Sequence, residues 1–190
     1  VYATTGSRIR VRVFAGWDFA PDEVERQDFA DRGYAGGVPM GGDLTAAPDG
    51  KAPTFVIRAL RDPDNANLDR IQVIKGWLNA AGESEERIYD GACSAERGIA
   101  NRRCERPVGN TVDVADASYT TTIGDPLLTA YWEDPDFDPS QSAFYYVRVL
   151  EIPKPSWQAH DAKFYGIQVS DEVPMTVQDR AYTSPIWYTP

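Results

Sequence analysis

Ala143-Phe144-Tyr145-Tyr146-Val147-Arg148-Val149-Leu150 decides the fold. Its aromatic and β-branched residues favour strand, and it is too short for a good helix. Tyr145, Val147 and Val149 fall on one face, Tyr146 and Arg148 on the other. An acidic turn, Trp132-Glu133-Asp134-Pro135-Asp136-Phe137-Asp138-Pro139, precedes it. A strand half-buried in this way needs neighbours on both edges, and candidates lie before and after it.

Upstream, Arg8 to Phe14 (RIRVRVF) alternates strictly: Ile9, Val11 and Val13 share a face that continues through Ala15, Trp17 and Phe19. Arg8, Arg10 and Arg12 share the other, either as a solvated face or as a basic stripe for an anionic ligand or another domain's acids. Further strands are predicted at Pro53 to Leu60, Leu68 to Leu78, Arg87 to Cys93, Thr111 to Ile123 (one long or two short) and Leu127 to Trp132. The last segment, Arg180 to Tyr188, contains Pro185, which points to an edge strand or a bulge. Pro21 to Arg32 has helix-start chemistry, with acids in its first turn and Gly33 after it. The glycine-dense stretch Gly33 to Leu44 reads as a tight loop or as one that reaches into a neighbouring site, with Tyr34, Met40 and Asp43 as its contact residues. Trp157 to Pro174 reads as irregular.

The 190 residues suffice for one sizeable core, and the 14 Pro and 15 Gly suit loop-rich all-β architecture. The fold class is thus all-β, an antiparallel sandwich with long irregular loops and one short helix, in a single domain over 1–190. A net charge of -10 argues against nucleic acid and anionic membrane as partners. No apolar run has membrane-spanning length. Cys93 and Cys104 flank a polar, Arg-rich loop and form either a disulfide or two free thiols; two ligands alone do not make a structural zinc site.

Chemistry-bearing patterns are sparse. Asp134, Asp136 and Asp138 alternate as calcium ligands do, but Pro135 and Pro139 interrupt them, and an ordinary strand-to-strand turn with Asp capping backbone amides is the favoured reading over a metal site. His160 is the one histidine and stands beside Asp161, yet adjacent residues of an extended segment point apart. No G-x-S-x-G occurs. Trp17, Trp77, Trp132, Trp157 and Trp187 serve either a core or a carbohydrate platform.

Seven phrases then converge: VYATTG (1–6), RVRVFAGWDF (10–19), GYAGGVPMGGDL (33–44), LDRIQVIKGWL (68–78), VGNTVDV (108–114), DPDFDPSQSAFYYVRVLEIP (134–153) and RAYTSPIWY (180–188). Together they resemble the C-terminal portion of the bacterial family called domain of unknown function 3604, over essentially the whole chain. That family is similar to the polymerase-and-histidinol-phosphatase (PHP) superfamily of metal-dependent hydrolases. The resemblance implies an upstream catalytic barrel as the partner, holding a divalent metal through histidines and acids. With one histidine this chain cannot supply that ligand set, so no cofactor and no catalytic residue is expected within it. It also implies that the chain starts just after the barrel, that Tyr34, Met40, Asp43 and the Arg8/Arg10/Arg12 stripe approach the active-site mouth, and that the parent is periplasmic or secreted. The competing class is a stand-alone ligand- or carbohydrate-binding module. A row of exposed aromatics on a sheet face would favour the module, and a bare apolar face would favour the missing barrel.

Overall fold

The computed structural model describes residues 3–79 and 81–190. Val1 and Tyr2, which open the phrase VYATTG, lie outside the described residues. The strands are β1 (Ala3–Thr4), β2 (Arg10–Gly16), β3 (Gly37–Pro39), β4 (Asp43–Thr45), β5 (Thr54–Leu60), β6 (Leu68–Leu78), β7 (Ser84–Cys93), β8 (Ile99–Ala100), β9 (Arg103–Cys104), β10 (Leu127–Glu133), β11 (Ala143–Glu151), β12 (Lys154–Pro155), β13 (Thr176–Val177), β14 (Arg180–Tyr182) and β15 (Ile186–Thr189). A 3-10 turn (Pro21–Glu25) and the helices α1 (Phe29–Gly36) and α2 (Trp157–Tyr165) complete the element set.

β11 lies at the centre of a seven-stranded sheet. One edge pairs along its whole length with β6, which pairs in turn with β7. The other edge is divided: β15 takes Ala143 to Tyr145, and β14 takes Arg148 to Leu150. Pro185 falls in the gap between these two strands, where its missing N–H costs no ladder bond. Thr183 bridges the gap by exchanging bonds with Val147, its N–H with the carbonyl and its Oγ1 with the N–H. β4 extends β15 in parallel, and β1 extends β14. The second sheet has the order β10-β5-β2-β3 and is antiparallel throughout.

The alternation seen in the sequence sets the core. Ile9, Val11, Val13 and Ala15 meet Tyr145, Val147 and Val149 between the sheets, joined by Phe55, Ile57, Ile71 and Val73. The outer face of β2 and β5 is only partly covered. There Phe14 and Val56 pack beneath the 3-10 turn and α1, with Phe19, Val24 and Phe29. Phe19 therefore belongs to this satellite core, whereas Trp17 stays with the main one. Gly33 makes the satellite core possible, because a Cβ there would come within 2.3 Å of the Phe14 ring.

Four expectations are corrected. The predicted helix over Pro21 to Arg32 is two pieces, the 3-10 turn and a helix that runs through the supposed Gly33 loop as far as Gly36. Thr111 to Ile123 forms no strand, only an isolated bridge between Asp113 and Ser118. Its β-branched residues have no ladder partner; instead the Asn67 amide holds the carbonyls of Thr121, Ile123 and Gly124. The stretch read as irregular after Trp157 opens with α2, capped by Ser156 and closed by Gly166 in a left-handed conformation. β7 also starts earlier than predicted, at Ser84.

Cys93 and Cys104 form a disulfide with a Cα–Cα distance of 5.9 Å. Between them Ala95, Glu96, Asn101 and Arg102 all have positive φ, an uncommon backbone for side chains with a Cβ. The crosslink holds this strained loop against β7, where the Asp90 N–H donates to the Arg102 carbonyl and the Asp90 carboxylate accepts from the Cys104 N–H. Replacing both cysteines by serine is expected to cost about 2–4 kcal/mol, read as a lower urea midpoint. An unshifted midpoint would show that the loop holds without its crosslink.

At one end of the sandwich Lys75 turns inward from β6. Its ammonium donates to Asp134 Oδ2 at 2.6 Å and to the Asp136 carbonyl at 2.7 Å. The Tyr145 hydroxyl donates to the same Asp134 oxygen at 2.7 Å. Both charged side chains are almost wholly buried, so removing one strands the other. Lys75→Met is expected to cost about 3–5 kcal/mol in urea unfolding, and Lys75→Met with Asp134→Leu to recover most of it. A double variant as unstable as the single one would contradict this account.

Candidate functional site

On the outer face of the seven-stranded sheet, one register line crosses five strands. It runs Glu86 (β7), Gly76 (β6), Phe144 (β11), Trp187 (β15) and Asp43 (β4). Residues in register project from the same face. Four strand spacings make the line about 19 Å long. Gly76 is the pivot: a Cβ there would come within 2.2 Å of the Phe144 ring, so the glycine lets that ring lie across β6. Trp187, 48% exposed, leans on Phe144 at 5.3 Å between centroids, and Tyr146 lies nearly parallel to Phe144 at 6.4 Å. Trp77, Leu78, Phe144 and Trp187 line a groove of about 400 Å³, rimmed by Ser84, Glu85 and Glu86.

The groove is acidic. Among the described residues no cation pairs with Glu86 or Asp43. Lys75 faces inward, Arg87 binds Asp136 and Arg148 donates to Gln72. Glu83 and Glu85 share only the neutral Asn79 amide. Burial, and then the Glu86 charge, raise the Tyr146 hydroxyl above its ordinary pKa.

The structure separates the residues singled out in the sequence. Arg10 and Arg12 stand exposed on the outer face of the four-stranded sheet. Exposed Tyr34 of α1 lies on the same side, its ring 4.9 Å from Phe14. Arg8 leaves the stripe to bind Asp62 and Asp64, and this pairing lowers the Asp62 carboxyl to about 2. Met40 packs partly against the core, and Asp43 joins the aromatic row on the opposite sheet. The supposed loop Gly33 to Leu44 therefore sends its three candidates to three places. Sequence reasoning missed the row; the signals that could have found it are the phase of Phe144, opposite Tyr145, and that of Trp187, opposite Tyr188.

Asp134, Asp136 and Asp138 do not converge. Asp134 is held by Lys75 and Tyr145, Asp136 by Arg87 and Tyr89, and Asp138 caps the Ser140 N–H. Among the described residues one His/Cys/Asp/Glu group does converge, Asp90 with Cys93 and Cys104, but its sulfurs are spent in the disulfide. His160 is exposed on α2. The donor set of these residues does not fit a hydrolytic metal centre.

A second polar cluster is sealed. Ser7 Oγ donates to Glu151, and Lys154 lies 3.4 Å from Glu151 and 2.5 Å from Asp179. Hydroxyl, carboxylate and ammonium could in principle do acid–base work, but Ser7 and Glu151 are buried away from solvent. The cluster fastens the chain entering β2 to the end of β11. One Glu151 oxygen lacks a hydrogen-bond donor, and burial raises the carboxyl above its ordinary 4.5. Between 4.5 and that raised value the folded state binds more protons than the unfolded one, so the Glu151 contribution declines as pH rises. Measured against Glu151→Gln in urea, the native protein is expected to lose relative stability as pH rises above 4.5. A pH-independent difference would refute the assignment.

The fold and groove define a class: a mainly antiparallel β-sandwich, with one parallel pair, an open aromatic groove on one sheet and no assembled catalytic constellation among the described residues. The chain belongs to the family described as protein of unknown function (DUF3604), whose model matches residues 1–190. Neither a curated protein nor a solved structure matches it.

Proposed function

We propose that this chain is the C-terminal β-domain of a larger, exported PHP-like hydrolase, packed against the catalytic barrel of the same precursor. The barrel would hold the divalent metal and cleave ester or phosphoester bonds, a reaction class that rests on superfamily analogy. The observation that carries the reading is the surface of α2 and the chain just after it. Trp157 is 70% exposed, Phe164 81%, Tyr165 67% and Ile167 54%. Trp157 and Phe164 lie seven residues apart and share one helical stripe. Apolar surface concentrated in this way marks a contact site more often than a free surface. Exposed Arg10, Arg12 and Tyr34 supply a second surface from which the β-domain could approach the active-site mouth.

The test is made in the whole precursor with Trp157→Ser and Phe164→Ser together. A barrel that rests on this face is expected to become easier to nick by protease between the two parts, and the unfolding transition to split in two. Cleavage of p-nitrophenyl ester and phosphate substrates is expected to change in KM. A single unchanged transition with unchanged kinetics would remove the α2 face from the interface.

A second reading, a ligand- or carbohydrate-binding module, is favoured by the Phe144–Trp187 groove. Both readings can hold in one protein, because α2 and the groove are built from different elements.

A further inference from the structure

We propose that the groove on the outer face of the seven-stranded sheet binds an extended arginine-bearing peptide segment, with guanidinium groups stacked on Phe144 and Trp187 and paired with Glu86 and Asp43. The proposal rests on the ligand-binding reading of the groove and names the chemistry of the ligand.

Three features of the row select that chemistry. The first is the floor. The faces of Phe144 and Trp187 carry negative quadrupole charge, and Trp187 is half open to solvent. The second is the pair of carboxylates at the ends. Glu86 and Asp43 have no hydrogen bond or ion pair among the described residues, so both remain free as acceptors for a donor from outside. The third is the field. Glu83 and Glu85 stand near Glu86, Lys75 and Arg87 are already paired with carboxylates, Arg148 is held by the neutral Gln72 amide, and the whole chain carries 29 acids against 19 bases. Anionic ligands are repelled here and cationic ones are drawn in.

A planar guanidinium meets all three conditions at once, since it stacks on an aromatic face while donating a two-pronged bond to a carboxylate. An ammonium has the charge but not the planar stacking surface. The length of the row gives the form of the ligand. About 19 Å corresponds to about six residues of extended chain, enough to bring one arginine to each end. The groove itself, about 400 Å³, has room for the side chains lying between them.

The probe is fluorescein-labelled hexa-arginine, titrated by anisotropy against the protein at low and at physiological salt. Trp187→Ala keeps the net charge and removes a half-exposed ring, so its fold is expected to survive, as circular dichroism can check. It is expected to weaken binding about tenfold. Glu86→Gln with Asp43→Asn is expected to weaken it and to flatten its salt dependence. Hexa-lysine is expected to bind less tightly than hexa-arginine. Equal binding by the native protein and Trp187→Ala would mean that the acidic surface attracts any polycation, and would overturn the proposal. Trp187-dependent binding of neutral cellohexaose with no such dependence for hexa-arginine would also overturn it, while leaving the groove a ligand site. Binding of neither probe would defeat both the proposal and the ligand-binding reading beneath it.

Discussion

The sandwich depends on a charge placed where charges are costly. Lys75 points between the sheets, and its ammonium is neutralised by Asp134, which directly follows the opposite sheet's edge strand β10. Around this pair the structure assembles a closed set of partners. Tyr145 donates from the central strand, the Asp136 carbonyl accepts, and the second Asp134 oxygen takes the Asp136 N–H. Desolvation and the adjacent carboxylate together raise the Tyr145 hydroxyl far above its ordinary pKa, so it stays a donor. Such a pair contributes little net stability compared with apolar packing, but it penalises any sandwich in which the two sheets slip. The acidic turn before β11 is a latch for the sheets, which explains why its aspartates do not gather around an ion.

Much of this architecture is legible in the primary sequence because it follows a period of two. The alternation at Arg8 to Phe14 and at Ala143 to Leu150 identifies both inner faces, and the structure places those residues in one core. What escapes a sequence reading is what depends on a partner. Thr111 to Ile123 has strand composition, yet a strand exists only where a neighbour offers free backbone groups, and here Asn67 takes the carbonyls instead. α2 escapes because its apolar residues do not collect on one buried face, although Ser156 and Gly166 mark its two ends. α1 hides behind two glycines that are needed for the approach to Phe14 and Phe19.

The candidate site was less legible still. Its row joins residues from five strands and from positions 43 to 187 of the chain, and no local motif links them. Asp43 was singled out for a different reason, as part of a supposed loop. Gly76 carries no signal alone, and its meaning appears only when Phe144 is placed across the ladder from it. Arg8, Arg10 and Arg12 illustrate the reverse case, in which one sequence stripe is divided when Asp62 captures its first member.

The divided edge of β11 has a consequence for synthesis. The central strand is complete on its β6 side once residue 151 has been made, but its other edge waits for residues 180–189. Until then a row of free backbone groups and the side chains that belong under β14 and β15 stay uncovered, in a form that invites pairing with another nascent chain. β1 and β4, made early, also wait for these late strands. Closure of the second edge of this sheet is therefore a late event, and the chain is most open to mispairing in the interval before it.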